Sequence, residues 1–197
     1  MPAIPKIFHR TVRELGVEPF ETYWSKFQTL HPGWEFHTYT GGDIYMSGLT
    51  RLLALIRYGG IYVDWDIEPV RSWEPLLDHK GFSSTDAANI AVDAVLGAVP
   101  NHPALRKCLD LALYRIAEGG SVLDCSVRVT NTILPYRSDW TLLPTESFYY
   151  LNWLHLQRAS HDFSSIPGCY AINHTAESWF NDPGGFWAPS LYTNERP

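Results

Sequence analysis

The first forty residues alternate short apolar runs with one long amphipathic segment. Residues 4–9 and 34–39 have the apolar pattern that predicts strands. Between them, residues 12–30 predict a helix, because four aromatic side chains recur there at helical spacing: Phe20, Tyr23, Trp24 and Phe27. The predicted order is therefore strand, helix, strand.

A second helix is predicted from Ser47 to Gly59. Ser47 is a suitable N-cap, and Gly59 suits the left-handed residue that ends a helix. Four apolar residues form one stripe of this helix: Leu49, Leu52, Leu53 and Ile56. A weaker stripe runs through Arg51, Leu55 and Tyr58. A helix that is apolar on two sides is expected to pack on both, so Arg51 needs an anionic or polar partner.

The segment after Gly59 places two carboxylates close together. Apart from Asp64, residues 61–65 are β-branched or aromatic and predict a buried strand. Side chains alternate faces along a strand, so Asp64 and Asp66 are expected to point the same way and Trp65 the opposite way. Such a pair is unfavourable unless a cation, a proton or solvent relieves it. A hard divalent ion suits the pair, and a solvated acidic turn is the alternative.

The rest of the chain continues the alternation of elements. Residues 81–84 predict a strand edge, and residues 90–98 are apolar in a way that fits a helix or a strand. Three further helices are predicted, over residues 104–118, 127–134 and 147–156. Helices that alternate with strands indicate an α/β sheet covered on both faces.

The composition is that of a globular domain and disfavours nucleic acid as a partner. The 197 residues are 45% apolar, 14% aromatic and only 18% charged. With a net charge of −6 and no cluster of Lys or Arg, the chain lacks the basic surface that binds a nucleic-acid backbone. No repeat or linker is visible, so residues 1–197 are expected to form a single domain, in which the loop-rich segment 165–197 closes the site.

The cysteines and the N-terminus favour the cytoplasm. Cys108, Cys125 and Cys169 are odd in number and lack zinc-site spacing, so we expect them to be reduced and buried. The N-terminus has no apolar leader, and no window reaches the 18 or more consecutive apolar residues of a membrane span. We expect no transmembrane segment, and the sequence leaves open a peripheral membrane contact through exposed Trp or Tyr.

Four stretches resemble the DXD-containing glycosyltransferases typified by fungal initiating mannosyltransferases, with more distant similarity to the glucosyltransferase domains of large clostridial toxins. In family order, these stretches are residues 4–9, 31–39, 51–69 and 171–179. The resemblance implies an α/β nucleotide-sugar-binding fold of the GT-A type, in which helices flank a mixed central sheet.

The resemblance also implies a site for a metal and a diphosphate. Asp64 and Asp66 would hold Mn²⁺ or Mg²⁺ on the diphosphate of a UDP- or GDP-hexose, with Asp66 as the more direct ligand. His174 would be the third protein ligand, and a turn histidine satisfied by backbone is the alternative. Ser178 and Trp179 would contact the diphosphate, although Trp179 also suits a core position. A cation there would stabilise the charge that grows on the leaving diphosphate.

The donor-sugar half of the site departs from the family pattern. Arg51 lies where the family has an Arg that contacts the donor, which makes it a candidate catalytic residue with Asp64 and Asp66; a structural ion pair is the alternative. The family carries an Asp three residues before this Arg, and this chain has Gly48 there. Asp43 is a candidate substitute from the preceding loop. The resemblance therefore leaves the donor sugar open.

Further donor contacts are expected along the strands. Ligands in open α/β sheets lie beyond the carboxyl ends of strands, so the end of the first strand should lie near the base and ribose, at Ile7, Phe8 and His9. A core role suits Phe8 equally well. The resemblance adds four donor-side residues: Gly60, Tyr62, Asn89 and Asp93.

The implied reaction is transfer of a hexose from a nucleotide-sugar donor to a saccharide, lipid-linked saccharide or protein hydroxyl, with retention. The chain must then supply the metal, donor orientation and exclusion of water. An Asp-X-Asp phosphotransferase or phosphatase is disfavoured, because Ile67-Glu68-Pro69 follows the motif after two earlier strands. A non-catalytic nucleotide-sugar- or glycan-binding module on the same fold is the other alternative, and Gly48 keeps it open.

Overall fold

The computed structural model of this chain describes residues 4–12, 15–17, 20–40, 44–85, 91–120, 134, 138–148 and 165–174. Within these ranges the elements are, in chain order, β1 Ile7–Thr11, α1 Phe20–Leu30, β2 Glu35–Tyr39, α2 Ile44–Tyr58, β3 Gly60–Val63, β4 Ile67–Pro69, β5 Gly81–Thr85, β6 Ala91–Ala98, α3 Pro103–Ala117, β7 Thr141–Leu143 and β8 Ala171–Asn173.

Six of the strands form one mixed sheet in the order β2-β1-β3-β6-β5-β7. Strand β1 runs parallel to β2 and β3, β6 runs antiparallel to β3 and β5, and β7 runs parallel to β5. A second, two-stranded sheet pairs β4 with β8 in antiparallel fashion. The expected α/β fold with a mixed central sheet is confirmed.

Helices cover both faces of the large sheet. On one side, α1 packs an aromatic core around Phe8, whose ring lies 4.8 Å from that of Phe27, 4.8 Å from Trp34 and 5.4 Å from Trp73. On the other side, α2 and α3 bury an aliphatic core on the sheet, with Leu52 among its fully buried members. This second core includes Tyr62 of β3, so the two faces of one strand serve different cores.

The first strand and helix begin later than the sequence predicts. Strand β1 extends to Thr11, because its pairing with β2 continues through the partners Thr11 and Tyr39. Helix α1 consequently begins at Phe20, and the predicted start at residue 12 is wrong.

The second helix begins earlier than predicted. Helix α2 starts at Ile44, so Ser47 lies inside it and is not the N-cap. Leu49, Leu52 and Ile56 are buried as expected, but Leu53 is 52% exposed and lies on the solvent side. The second stripe is correct at Arg51 and Leu55, which are buried, whereas Tyr58 is partly exposed.

The strand that carries the carboxylates is shorter than predicted. Strand β3 ends at Val63, and the carbonyl of Asp64 accepts a hydrogen bond from the amide of Ile67 at 3.3 Å, which closes a turn. Asp64 and Asp66 are therefore turn residues between β3 and β4, and the expected strand alternation does not apply to them. Of the ambiguous apolar stretch 90–98, Ala91–Ala98 form β6, and residue 90 lies outside the described residues.

Two predicted helices fall largely outside the described residues. Of residues 127–134, the structure describes only Leu134. Of residues 147–156, it describes Ser147, which ends a 3₁₀ turn begun at Thr145, and Phe148, which is a turn residue. The helix over 104–118 is confirmed as α3, with His102 as its N-cap.

Cys108 and Cys169 are buried free thiols, as expected, and Cys125 lies outside the described residues. Among the helices that the structure describes, none combines the length and the apolar character needed to cross a bilayer.

Two consecutive glycines join α2 directly to β3. Gly59 and Gly60 have positive φ values of 66° and 95°, a backbone region that side chains disfavour. The Nε2 of buried His9 donates to the carbonyl of Gly59 at 2.8 Å. Burial lowers the pKa of His9 to about 4, so the ring is neutral and its Nδ1 accepts from the hydroxyl of Tyr39. A side chain at Gly60 would lie 2.5 Å from the carbonyl oxygen of Ile7.

Replacing Gly60 should destabilise the fold strongly. In Gly60→Ala, the new Cβ meets a backbone atom of β1 that cannot rotate away, and φ is positive as well. We expect a loss of about 2–4 kcal/mol in the free energy of unfolding. Urea unfolding followed by circular dichroism measures it.

Gly33 provides the matched control for this substitution. It has a φ of 80°, and a Cβ there would have no heavy atom within 4 Å. Gly33→Ala should therefore lose only about 1 kcal/mol, from backbone strain alone. Equal losses in the two variants would contradict the proposed close approach of β1 and β3.

Candidate functional site

The two motif carboxylates lie at the carboxyl end of β3. Because β1 runs parallel to β3, with Phe8 opposite Ile61, the carboxyl ends of both strands meet at this edge of the sheet. Asp64 follows β3 directly, and its amide donates to the carbonyl of Ala94 in β6 at 2.8 Å. The side chain of Asp64 is 31% exposed and Asp66 is 9% exposed. The site is therefore a partly buried acidic turn at the sheet edge where ligands bind in open α/β folds.

Arg51 bridges this turn to strand β6. Its Nη2 lies 3.3 Å from Oδ1 of Asp64, and its Nη1 lies 2.8 Å from Oδ2 of Asp93. The guanidinium also lies over the ring of Tyr62, 4.9 Å from the ring centroid, in a cation–π contact. The expectation that this buried arginine has an anionic partner is confirmed.

Tyr62 contacts Asp64 from the buried side. Its side chain is buried, and its hydroxyl interacts with Thr11 and with the carboxylate of Asp64. Burial, together with the negative charge of Asp64, raises the pKa of Tyr62 well above its usual value. Tyr62 is therefore a neutral hydroxyl that donates to Asp64.

The electrostatics of the turn suit a cation. Burial raises the pKa of Asp64 to about 7, Arg51 opposes this increase, and Asp66 and Asp93 add to it. Asp64 and Asp93 thus share the guanidinium of Arg51, and the charge of Asp66 adds to the electrostatic cost of ionising Asp64. Carboxylate oxygens are the ligands that Mn²⁺ and Mg²⁺ prefer, so Asp64 and Asp66 fit the implied metal.

The small sheet brings His174 to the motif. Because β4 and β8 are antiparallel, with Ile67 opposite Asn173, the amide of His174 donates to the carbonyl of Asp66 at 3.1 Å. The His174 Nε2 lies 2.8 Å from Oε2 of Glu68. Within the described ranges, no three His, Cys, Asp or Glu side chains lie close enough together to hold a metal ion. A three-ligand site that includes His174 thus stays a prediction.

Two residues that sequence reasoning did not select belong to this region. Glu68 contacts both His174 and Lys26, and these contacts hold its pKa below the usual range. The ring of Tyr23 in α1 stacks on His174, with centroids 4.8 Å apart and planes 11° apart. Glu68 could have been selected from the sequence, because it follows Asp66 by two residues. No sequence pattern indicated the contact between Tyr23 and His174.

Other predicted donor residues have packing roles in this structure. Phe8 and His9 are fully buried, so Phe8 takes its core alternative and His9 supports the glycine turn. Gly60 is needed for the close approach of β1, and Asp93 is paired with Arg51. Ile7 opens β1 in a half-buried position.

The remaining predicted residues are one in α2 and four outside the described ranges. Gly48 lies within α2, three residues before Arg51. Four candidates lie outside the described residues: Asp43, Asn89, Ser178 and Trp179.

A family model matches a segment in the first half of the chain. Residues 22–83 match the family described as glycosyltransferase sugar-binding region containing DXD motif. The match runs from the first turn of α1 into β5 and includes Arg51, Asp64 and Asp66.

Two curated relatives match parts of the chain, one named as a glycosyltransferase and one as a synthase. The chain is 30% identical over 64 residues to human alpha-1,4-N-acetylglucosaminyltransferase. The aligned segment covers 32% of this chain and 18% of that protein. The chain is 28% identical over 133 residues to mannosyl phosphorylinositol ceramide synthase SUR1 of Saccharomyces cerevisiae, and this match covers 54% of this chain and 34% of that protein. The chain spans about a third or less of the length of these relatives.

Solved structures show the same fold. PaToxG glycosyltransferase superposes with a TM-score of 0.52 at 17% identity, over 67% of this chain and 70% of that chain. A glycosyltransferase involved in the glycosylation of the major capsid of PBCV-1 superposes with a TM-score of 0.57 at 8% identity, over 87% of this chain and 94% of that chain. The chain thus has the GT-A type fold of these glycosyltransferases, and the segment that holds the Asp64–Asp66 turn matches the family model of the glycosyltransferase sugar-binding region containing DXD motif.

Proposed function

We propose that this chain is a metal-dependent glycosyltransferase that moves a hexose from a nucleoside-diphosphate sugar to a hydroxyl acceptor, with retention. The observation that carries the proposal is the acidic turn Asp64–Asp66 at the carboxyl end of β3, held by Arg51 within the matched family region. The donor would be a UDP- or GDP-hexose, and the acceptor a saccharide, a lipid-linked saccharide or a protein.

Asp64, Asp66 and His174 would hold Mn²⁺ or Mg²⁺, which supplies positive charge to the leaving diphosphate. Arg51 keeps Asp64 at the end of β3 and limits the mutual repulsion of the carboxylates. The hydroxyl of Tyr62 orients Asp64 from the buried side. The acceptor proton would pass to an oxygen of the leaving diphosphate, so the reaction needs no protein base.

The remaining contacts belong to the proposal as well. Ser178 and Trp179 would contact the diphosphate, Asn89 would contact the donor, and the segment 165–197 would exclude water. The reduced thiols Cys108 and Cys169 support a cytoplasmic location.

The donor sugar follows from neither the turn nor the fold. The two curated relatives are named for transfer of N-acetylglucosamine and for synthesis of mannosyl phosphorylinositol ceramide. Nucleotide-activated N-acetylglucosamine and mannose are therefore the first donors to test, beside UDP-glucose. A non-catalytic binding module is the alternative, and Gly48 is the observation that favours it.

Turnover should depend on Asp66 and on a divalent ion. With Mn²⁺ and a panel of UDP- and GDP-sugars, we expect wild-type protein to release free nucleotide, and EDTA to abolish the release. Asp66→Asn removes one charged ligand and should lower the rate at least about 100-fold. It should also reduce the increase in melting temperature that Mn²⁺ and nucleotide produce in the wild type.

The control for this assay is Asp110→Asn, which removes an exposed carboxylate on α3 and should leave the rate unchanged. Equal turnover in Asp66→Asn and wild type would refute the proposed metal site. Metal-dependent nucleotide binding without turnover of any donor, with any acceptor, would favour the binding module.

Replacing Arg51 should destabilise the protein, because Asp64 and Asp93 would then repel each other. In Arg51→Met the carboxylates of Asp64 and Asp93 lose their shared cation, so we expect a loss of about 2–3 kcal/mol in the free energy of unfolding. This is less than for a fully buried pair, because Asp64 is partly exposed. Adding Asp93→Asn should restore about 1 kcal/mol or more.

A urea double-mutant cycle measures this coupling. Arg57→Met is the control, because Arg57 is an exposed arginine at the end of the same helix, and its loss should change stability by less than about 0.5 kcal/mol. Strictly additive effects of Arg51→Met and Asp93→Asn would show that the contact is not an energetic pair.

A further inference from the structure

Three separate contacts hold His174 beside the acidic turn. Its amide donates to the carbonyl of Asp66 at 3.1 Å, and its Nε2 lies 2.8 Å from Oε2 of Glu68. Its ring stacks almost parallel on the ring of Tyr23. The position, the plane and the rotation of the imidazole are thus each determined by a different group.

Glu68 is itself held in place. It lies in β4, opposite Ile172 of β8, and its side chain is only 18% exposed. Its other carboxylate oxygen, Oε1, contacts the ammonium group of Lys26 from α1. One carboxylate therefore joins α1, β4 and the residue that follows β8.

The contact with Glu68 assigns the ring nitrogens of His174. An ionised carboxylate can only accept a hydrogen bond, so Nε2 must carry the proton. In a neutral imidazole the other nitrogen, Nδ1, then has the lone pair. Histidines that bind metals usually donate their second ring N–H to a carboxylate in this way, which fixes the ring and raises its basicity.

We propose that Glu68 is a positioning residue that fixes the orientation and tautomer of His174, so that Nδ1 is the nitrogen offered to the metal and diphosphate. This inference rests on the proposed function, because it gives His174 a ligand to bind. A purely structural Glu68 would join β4 to α1 through Lys26 without affecting metal affinity or the tautomer. The two roles therefore predict different measurements.

The first measurement is the affinity for Mn²⁺, titrated by electron paramagnetic resonance of the free ion. Loss of the carboxylate in Glu68→Ala should raise the Kd by about 10–100-fold. Glu68→Gln keeps an acceptor for Nε2 and should raise it less, so the conservative variant partly rescues binding. Circular dichroism confirms that each variant is folded, and Glu68→Gln carries the test if Glu68→Ala does not fold.

Glu74→Gln is the matched control. Glu74 forms an ion pair with Lys6 in which both side chains are largely exposed, at 59% and 45%. It thus copies the loss of a Lys–Glu pair away from His174. Its Kd for Mn²⁺ should remain within about twofold of the wild-type value, since exposed pairs contribute little.

The second measurement is the tautomer of His174, read from long-range ¹⁵N–¹H correlation spectra and assigned with His174→Gln. We expect a single Nε2–H tautomer in the wild type and a mixture in Glu68→Ala. An Nδ1–H tautomer in the wild type, or an unchanged Kd in both Glu68 variants, would overturn the inference. Complete loss of Mn²⁺ binding in Glu68→Gln, equal to that in Asp66→Asn, would make Glu68 a ligand instead and would also overturn it.

Failure of the proposed function gives a different result. Wild-type protein that binds Mn²⁺ through a Glu68-dependent site but turns over no donor refutes the transferase and retains the positioning role. Wild-type protein that transfers sugar with the same Kd in every Glu68 variant retains the transferase and refutes the positioning role. Wild-type protein that binds no Mn²⁺ overturns the inference, because His174 would then have no metal to bind.

Discussion

The ion pairs of Arg51 are the interaction on which the site depends. The guanidinium contacts Asp64 after β3 and Asp93 in β6, and it lies over the ring of Tyr62. One cation from α2 thus keeps two carboxylates from different strands at one sheet edge. The charge of Asp66 raises the cost of ionising Asp64 further. The proposed divalent ion on a diphosphate donor would offset this repulsion.

The glycine turn determines where this cation can lie. Helix α2 ends at Tyr58 and β3 begins at Gly60, so a single residue separates the helix that carries Arg51 from the strand that leads to Asp64. Such a tight reversal needs two residues with positive φ, and β1 approaches so closely that a Cβ at Gly60 would clash with Ile7. The fold and the site therefore depend on the same backbone constraint.

The features that the sequence predicted correctly are those that depend on residue type and on spacing along the chain. The glycine stop after α2 and the need of Arg51 for an anionic partner both followed from residue type and spacing. Periodicity failed where a turn interrupts it. Strand β3 ends at Val63, although the amide of Asp64 still donates a hydrogen bond to β6. The apolar pattern did not indicate where this strand ends. The contact between His174 and Glu68 spans 106 residues, and no local signal predicts such a pairing.

The turn geometry changes how the motif should be understood. In a strand, period-two alternation would orient both carboxylates, and the intervening residue would matter little. In the turn, the carbonyl of Asp66 is available to the amide of His174, so the backbone of the motif and the end of β8 are joined directly. The ring of Trp65 stacks on Phe20 of α1, 4.3 Å away, which anchors the turn from the opposite side. The acidic turn is therefore held by α1 on one side and by the residue that follows β8 on the other, in addition to its own hydrogen bond between Asp64 and Ile67.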